Sequence, residues 1–356
     1  MIGLLSSAYG AVAAWRRQWY AHDPLRRRRL SRPVISVGSL GVGGSGKTPV
    51  VGHLARLLLE SGERPAVLTR GYARQIAPDG VTVVSDGVAV LASVATAGDE
   101  PLMLAHAVPG AIVTVCANRH LAGLVAERLG ATVHLLDDGF QHMALQRDVD
   151  LLLASEEDLT DTPLPAGRLR ENLSAAASAD AALVTAGYDT AAQRVARALR
   201  IATAFRITRA IGVPSMIAGD KRTVVVPAGS RVFVVSGIAR PERFTTDIAA
   251  AGWDIKGTLA FRDHHRYDAA DVRRIAREAR NAAAAIVLTT EKDAQRLAAC
   301  DLGDLPIASV PLHTGIEPAE AFRAWLLERL ADARKSVVRL QSATTIVTEP
   351  NRGHGL

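Results

Sequence analysis

Residues 41–48 constrain this chain more than any other stretch. They read Gly-Val-Gly-Gly-Ser-Gly-Lys-Thr between an apolar run and a predicted helix. The spacing fits G-x-x-x-x-G-K-[ST], in which glycines let backbone N–H groups converge on phosphate oxygens and the helix start adds its positive dipole end. A plain glycine-rich turn is the alternative, which the complete motif disfavours. The predicted nucleotide-binding residues are Gly41, Val42, Gly43, Gly44, Ser45, Gly46, Lys47 and Thr48.

The chain from residue 32 to about residue 200 alternates short apolar runs with helical patterns. Near-continuous apolar strands between helices are typical of a parallel sheet that is covered on both faces. The sequence therefore predicts a P-loop NTPase-type α/β fold with a mostly parallel sheet. Strands are predicted at residues 34–37, 66–69, 112–115, 133–136, 149–153 and 182–185, with a hairpin inserted at 81–91.

A second, smaller α/β unit is predicted after a region that breaks this rhythm. Short strands at 205–208 and 223–226 are interpreted as parts of an inter-domain connection, and new strands follow at 232–235, 255–260, 286–289 and 307–310. The predicted organisation is an N-terminal helix and basic loop (1–30), a P-loop domain (31–200), a connection (201–228), a smaller domain with a final helix (229–335) and a disordered tail (336–356).

Bulk composition narrows the class of protein. A chain of 356 residues can form two domains, and its only two cysteines, far apart, give neither a disulfide framework nor a metal cluster. The formal net charge of +6 is compatible with nucleic acid, an anionic membrane surface or a phosphorylated substrate. Few aromatic residues interleave with the arginines, which disfavours a single-strand stacking platform.

The N-terminal segment is unusual because an apolar run precedes its basic residues. Residues 1–14 are apolar or small, and tryptophans and arginines follow. This order does not suit a signal peptide, and the run is shorter than the roughly 20 residues that a spanning helix needs. The residues favour a helix lying on an anionic membrane surface, with an ordinary packed helix as the alternative.

Acidic residues stand where predicted strands end or helices begin. Asp137 and Asp138 follow an apolar strand, where P-loop proteins place a carboxylate toward Mg²⁺. Two adjacent carboxylates on an extended backbone face opposite ways, and Asp138 is the preferred metal-side group, although Asp-Gly also suits a tight turn. Asp99 and Glu100 fit either a helix cap or a site whose carboxylate accepts a proton from a hydroxyl nucleophile.

Basic side chains and histidines complete the candidate site. Arg70, Arg74 and Arg119 follow strands and are suited to an anionic acceptor, although solvated surface arginines are common in this chain. In the second unit, Asp263, His264 and His265 form a polar loop whose spacing does not fit zinc.

Taken together, these segments resemble the tetraacyldisaccharide 4′-kinase family, the lipid A 4′-kinases of Gram-negative bacteria. The resemblance runs to about residue 330. The order and spacing of the matching segments make the resemblance specific, whereas the phosphate loop alone would not. The segments that carry it are residues 37–49, 69–72, 98–101, 137–142, 165–171, 261–264 and 290–293.

The resemblance implies transfer of the ATP γ-phosphate to the 4′-hydroxyl of a lipid A disaccharide precursor at the cytoplasmic face of the inner membrane. It implies that Asp99 is the base, acting with His264, and that Thr48, Glu100 and Asp138 are the Mg²⁺-side groups. The expected partners are the lipid precursor and the inner-membrane surface, with no nucleic acid and no obligate protein partner. The resemblance places Tyr72, Arg74, Arg119, Gln141 and Glu171 in the substrate pocket.

Two other functions remain open from the residues. A GTP-binding switch or metallochaperone-like protein would share the phosphate loop. It would normally carry a guanine-reading Asn-Lys-x-Asp segment, and the nearest match, at residues 290–293, has Glu291 in place of the asparagine. A basic nucleic-acid protein is supported by net charge alone.

Overall fold

The structure is a computed structural model that describes residues 1–43, 46–72, 74–76, 79–217 and 223–347. The strands are β1 (Val34–Ser39), β2 (Pro65–Thr69), β3 (Thr82–Asp86), β4 (Ile112–Val115), β5 (Val133–Asp137), β6 (Val149–Ala154), β7 (Ala181–Thr185), β8 (Ala204–Ile211), β9 (Ser215–Met216), β10 (Arg231–Ser236), β11 (Asp254–Ala260), β12 (Ile286–Thr290), β13 (Ile307–Val310) and β14 (Leu312–Glu317). The α-helices are α1 (Ile2–His22), α2 (Lys47–Glu60), α3 (Val94–Ala97), α4 (Asp99–Ala107), α5 (Arg119–Arg128), α6 (Asp189–Ala198), α7 (Pro241–Ala250), α8 (Ala269–Asn281), α9 (Glu291–Leu297) and α10 (Ala319–Val347).

In the described residues, nine strands form the larger sheet in the order β14-β8-β7-β6-β1-β5-β2-β4-β3. The strands from β8 to β4 pair in parallel, and β14 and β3 are antiparallel at the two edges. Every residue of β1, β5 and β6 is buried, as expected for strands that are covered on both faces. This topology confirms the predicted mostly parallel α/β fold.

The central strand β1 positions the phosphate loop. It pairs with β5 on one side and β6 on the other, so the loop leaves the middle of the sheet at its carboxyl edge. Gly38 is required here, because a Cβ on it would lie 2.5 Å from the Cβ of Phe140. The loop that follows β5 therefore packs directly against the strand that carries the phosphate loop, and both meet at the edge where ligands bind in open α/β sheets.

The smaller sheet has the order β11-β10-β12-β13-β9 in the described residues. Four of its strands are parallel and match the predicted ones, while β9 is antiparallel to β13. Helix α8 packs against it through Val272, Ile275 and Ala279, which recur at helical spacing on one face.

Four predictions about chain organisation differ from the structure. Residues 201–228 are not only a connection, because β8 joins the larger sheet and β9 the smaller one. The final helix is predicted to belong to the smaller unit, but the structure places it on the larger one. Strand β14 returns to pair with β8. Helix α10 then packs in the core of the larger sheet through Phe322, Leu326 and Leu330. These apolar residues recur every four positions, and only tertiary packing decides which sheet they cover.

The other two differences are local. Residues 336–347 continue α10 rather than forming a disordered tail, and residues 348–356 lie outside the described part of the chain. The predicted hairpin exists only in part: β3 is an edge strand, and the returning segment touches it through a single bridge between Ser85 and Val90.

Helix α1 has a buried face and an exposed face. Its Ser6 and Gly10 are buried against the rest of the protein, whereas Leu4 and Trp15 are 78% and 64% exposed. None of the helices in the described ranges is long and apolar enough to cross a membrane.

Candidate active site

The phosphate loop leads directly into helix α2. Gly46 takes a left-handed backbone conformation (φ 81°) at the cap, which favours glycine, and Lys47 and Thr48 begin the helix. The Lys47 ammonium lies 3.2 Å from the Ser39 hydroxyl and 3.3 Å from Asp138 Oδ1. Residues 44 and 45 of the predicted nucleotide site lie outside the described residues. The loop therefore holds its lysine against the carboxyl end of β5, above the start of the helix.

Asp137 and Asp138 differ in their surroundings. Asp138 leaves the strand with φ 52° and also accepts a hydrogen bond from Arg170 at 2.7 Å. Burial alone would raise its pKa, but the adjacent Lys47 and Arg170 outweigh burial and lower it. For Asp137, burial together with the charges of Glu100 and Asp138 raises the pKa to about 7. Lys47 and Arg170 thus favour the ionised form of Asp138 beside the phosphate loop, whereas burial favours the neutral form of Asp137.

Helix α4 begins with the two other predicted carboxylates. Gly98 precedes them with φ 87°, and a Cβ there would lie 3.0 Å from the Tyr72 carbonyl oxygen. Asp99 and Glu100 occupy the first helical turn, where the helix dipole favours negative charge. The capping interpretation and the site interpretation are therefore compatible, because the same turn faces residues of the smaller unit.

Contacts across the cleft join α4 to the smaller unit. Arg296 Nε donates to Asp99 Oδ2 at 2.7 Å, and His264 Nδ1 lies 3.4 Å from the same oxygen. Lys292 Nζ contacts Glu100 Oε1 at 3.0 Å and His264 Nε2 at 3.3 Å. Burial opposes the shift, but His264 and Arg296 lower the pKa of Asp99. Asp99 and His264, which are 165 residues apart in sequence, therefore form a direct pair.

The predicted substrate residues, except for Arg74, line the same cleft. Tyr72 is 74% exposed, with its ring 5.6 Å from the His264 ring. Arg119 is buried and donates to the carbonyl oxygens of residues 116 and 117, and burial lowers its pKa to about 10. Gln141 donates to Glu171 at 3.1 Å. Among the described residues, Arg74 turns toward Thr82 (3.5 Å) and is absent from the cleft wall.

The cleft has a volume of about 1350 Å³. Its wall combines residues of the phosphate loop, the larger sheet, the smaller unit and α1, and it includes Arg16, Lys47, Glu100, Asp138, Glu171 and His264. A space of this size, with a phosphate-binding loop on one wall, accommodates a nucleotide and a second large substrate. The arrangement can bind anions, bring an acceptor toward a phosphate and accept a proton.

Comparison with known proteins identifies the family. The family model described as tetraacyldisaccharide-1-P 4′-kinase matches residues 1–331. The chain belongs to this family. It is similar to the tetraacyldisaccharide 4′-kinases of Syntrophus aciditrophicus (37% identity over 93% of each chain) and Geobacter metallireducens (40% identity over 83% of this chain and 88% of that one). The structure of LpxK from Aquifex aeolicus in complex with ATP superposes with a TM-score of 0.71, at 30% identity over 92% of this chain and 97% of that one.

Three residues of this tetraacyldisaccharide-1-P 4′-kinase family member were not predicted to act at the site. They are Arg170, which contacts Asp138, and Lys292 and Arg296, which contact Glu100 and Asp99. Arg170 and Lys292 lie within segments that carry the family resemblance, which was the available signal. Arg296 lies one helical turn beyond Asp293, so no local pattern marked it.

Asp293 holds Arg296 in place, and its loss should destabilise this family member. Its fully buried carboxylate accepts from Thr290 Oγ1 (2.6 Å), Tyr267 Oη (3.0 Å) and Arg296 Nη1 (3.2 Å). Removing one partner of a buried charge pair costs about 3–5 kcal/mol. In urea unfolding, Asp293→Ala should lower the free energy of unfolding by that amount, while the exposed Asp254→Ala control should not. An unchanged midpoint for Asp293→Ala would contradict this assignment.

Proposed function

We propose that this chain transfers the γ-phosphate of ATP to the 4′-hydroxyl of tetraacyldisaccharide 1-phosphate in lipid A biosynthesis. The observation that carries the proposal is the arrangement of one cleft. The phosphate-loop Lys47 lies on one wall, and His264, paired with Asp99, lies on another. This geometry suits phosphoryl transfer, in which positioning and charge neutralisation contribute most of the catalysis.

Asp99 is the base in this proposal. The acceptor oxygen forms its bond to the γ-phosphorus as the bond to the β-phosphate bridging oxygen breaks, ADP leaves, and the hydroxyl proton passes to the carboxylate. The contacts of Arg296 and His264 both fall on Oδ2, and Oδ1 is the oxygen that we propose to take the proton. His264 would orient the carboxylate and favour its charged form.

The residues around Lys47 fit a magnesium ion that is shared with a nucleotide. Glu100 and Asp138 lie close enough to Asp137 that burial and their negative charges raise its pKa. A divalent cation would relieve the repulsion among these three carboxylates. Within the described residues, no group of three or more His, Cys, Asp or Glu side chains is arranged to hold a metal ion. Mg²⁺ commonly binds through one or two carboxylates together with the phosphate oxygens of a substrate. Thr48, Glu100 and Asp138 would hold the ion, which when bound neutralises phosphate charge.

On the acceptor side we propose Tyr72, Arg119, Gln141 and Glu171 as substrate-binding residues. The Arg74 side chain contacts Thr82, so it would have to move away from Thr82 to reach the substrate. A GTP-binding switch finds no support in the family relationship. A nucleotide-preference assay separates the two functions: the kinase proposal expects transfer from ATP, whereas strict use of GTP would favour a switch.

We also propose that α1 places the enzyme on the cytoplasmic face of the inner membrane. Its exposed face carries Leu4, Leu5, Trp15 and Trp19, and Arg26 stacks on the Trp19 ring at 4.2 Å. Exposed apolar side chains beside arginines suit the boundary of an anionic bilayer. The acylated acceptor would then enter along a helix that itself lines the cleft.

Replacing Leu4 and Trp15 together by asparagine should move the protein from vesicles to the soluble fraction. Both side chains are mostly exposed, so the fold should be unaffected, and the loss of apolar contact should reduce the partition coefficient by about 10-fold or more. Flotation with vesicles containing an anionic phospholipid gives the measurement. The matched control replaces Val88 and Tyr188, which are 92% and 59% exposed elsewhere on the surface. Equal flotation of both double variants would contradict the role of α1.

A further inference from the structure

Helix α1 is attached to the protein through one narrow face. Ser6 Oγ accepts from the Ala166 backbone N–H at 2.9 Å, and the Gly10 carbonyl oxygen accepts from Asn172 Nδ2 at 3.3 Å. Arg17 completes this face at helical spacing, seven residues after Gly10. Ser6, Gly10 and Arg17 all contact residues 166–178, and Arg17 also contacts Phe140.

The strongest of these contacts joins Arg17 to Glu171. Nε and Nη2 of Arg17 donate to the two carboxylate oxygens at 2.8 Å each, and the guanidinium also lies over the Phe140 ring at 4.5 Å. Glu171 is only 2% exposed. A bidentate ion pair that is shielded from water fixes the orientation of the carboxylate as well as its position. Among the described residues, Gln141 is the other hydrogen-bond donor to the Glu171 carboxylate.

The other side of the same segment touches the phosphate loop. The Arg168 carbonyl oxygen accepts from the Val42 backbone N–H at 2.8 Å, and the Arg170 N–H donates to the Leu40 carbonyl oxygen at 2.7 Å. Residues 166–172 therefore lie between α1 and the loop that binds phosphate.

Side chains continue this connection to the reacting groups. Glu171 Oε1 accepts from Gln141 Nε2 at 3.1 Å, and Gln141 Oε1 accepts from Arg170 at 3.1 Å. Arg170 then contacts Asp138 at 2.7 Å, and Asp138 contacts Lys47 at 3.3 Å. A continuous chain of charge-assisted contacts thus runs from α1 to the phosphate-loop lysine.

We infer that Arg17 is a positioning residue that couples the seating of α1 to the acceptor side of the active site. The inference rests on the proposed function, because it gives Arg17 the task of orienting Glu171 and Gln141 for the lipid acceptor. Helix α1 then does more than attach the enzyme to a membrane. It forms part of the acceptor site, so a displacement of the helix displaces the groups that hold the sugar.

If Arg17 positions the acceptor site, its loss should have an effect that the loss of a membrane anchor would not have. Arg17→Ala should impair the reaction even with substrate in detergent mixed micelles, where no bilayer is present. The kcat/KM for the tetraacyldisaccharide should fall on the order of 10- to 100-fold, because misplacing binding groups by about 1 Å has effects of that size. The KM for ATP should change less than about twofold, since Lys47 keeps its place in helix α2. Arg17→Lys should recover part of the loss.

The control is Arg194→Ala, which removes an exposed arginine whose ion pair with Glu156 is 2.9 Å long. It should match the wild type. A double-mutant cycle with Glu171→Gln should show that the two losses are not additive, because Arg17 acts through Glu171. Wild-type kinetics for Arg17→Ala in micelles, additive losses, or an equal rise in both KM values would each overturn the inference.

Amide hydrogen exchange tests the coupling independently of catalysis. Residues 166–178 should exchange faster in Arg17→Ala than in Arg194→Ala, and unchanged exchange there would overturn the inference. Failure of the wild-type protein to phosphorylate the disaccharide would instead contradict the proposed function. The exchange comparison would still decide whether Arg17 holds residues 166–178 in place.

Discussion

Replacement of Lys47 by alanine should reduce phosphoryl transfer at least about 10³-fold, because the ammonium is the positive group of the phosphate loop that reaches the transferred phosphate. In the structure it begins helix α2 and contacts Ser39 and Asp138, so it is already oriented toward the cleft. The loss should appear mainly in kcat. Fold and lipid binding should persist, because Arg170 still pairs with Asp138.

The measurement is initial-rate kinetics with ATP and the lipid disaccharide. Lys256→Ala provides the control, since Lys256 is an exposed lysine paired with Asp254 at 2.7 Å. The control should keep the wild-type rate. A Lys47→Ala enzyme with kcat within a few-fold of the wild type would show that the loop is structural only.

Asp99→Ala should lower kcat on the order of 10²- to 10⁴-fold, the usual contribution of a positioned general base. The substitution also leaves Arg296 with Asp293 as its carboxylate partner, so part of the effect could come from altered packing. Asp99→Asn separates the two causes, because it keeps the shape of the side chain and removes its capacity as a base. Both variants should be nearly inactive while binding ATP with unchanged affinity.

A suitable control for Asp99 is Asp189→Asn, whose carboxylate forms an exposed ion pair with Arg206 at 2.7 Å. It should be as active as the wild type. If Asp99→Asn retained the wild-type rate, the base would have to be another group, and Asp99 would remain only as a partner of Arg296 and His264.

The lowered pKa of Asp99 sets the sign of its pH dependence. Because its folded-state pKa lies below the usual 3.8, the contact with Arg296 stabilises the protein above that value and is lost as pH falls through the lowered pKa. The carboxylate is therefore ionised throughout the neutral range. Any decline in activity between pH 8 and pH 6 should arise from groups other than Asp99.

The two elements that flank the phosphate loop were predictable because their signals are local. The structure has β1 at Val34–Ser39 before the loop and α2 from Lys47 after it, where the sequence predicts a strand and a helix. The parallel strands were predictable for a similar reason, since burial on both faces leaves a continuous apolar run. The smaller sheet followed the same pattern.

The residues that the sequence missed depend on contacts between distant parts of the chain. Arg296 meets Asp99 across 197 positions, and Arg17 meets Glu171 across 154. Neither arginine differs locally from the many surface arginines of this chain. Helix α10 was placed on the wrong sheet for the same reason: its apolar face is evident, but its partner is fixed by the return of β14 to β8.

The most direct test of the central claim is to incubate the protein with γ-labelled ATP and tetraacyldisaccharide 1-phosphate, and then to locate the added phosphate on the lipid. The account predicts one new phosphate, on the 4′-oxygen, absent with Lys47→Ala and Asp99→Asn. Absence of label on the lipid, or label at any other position, would contradict it.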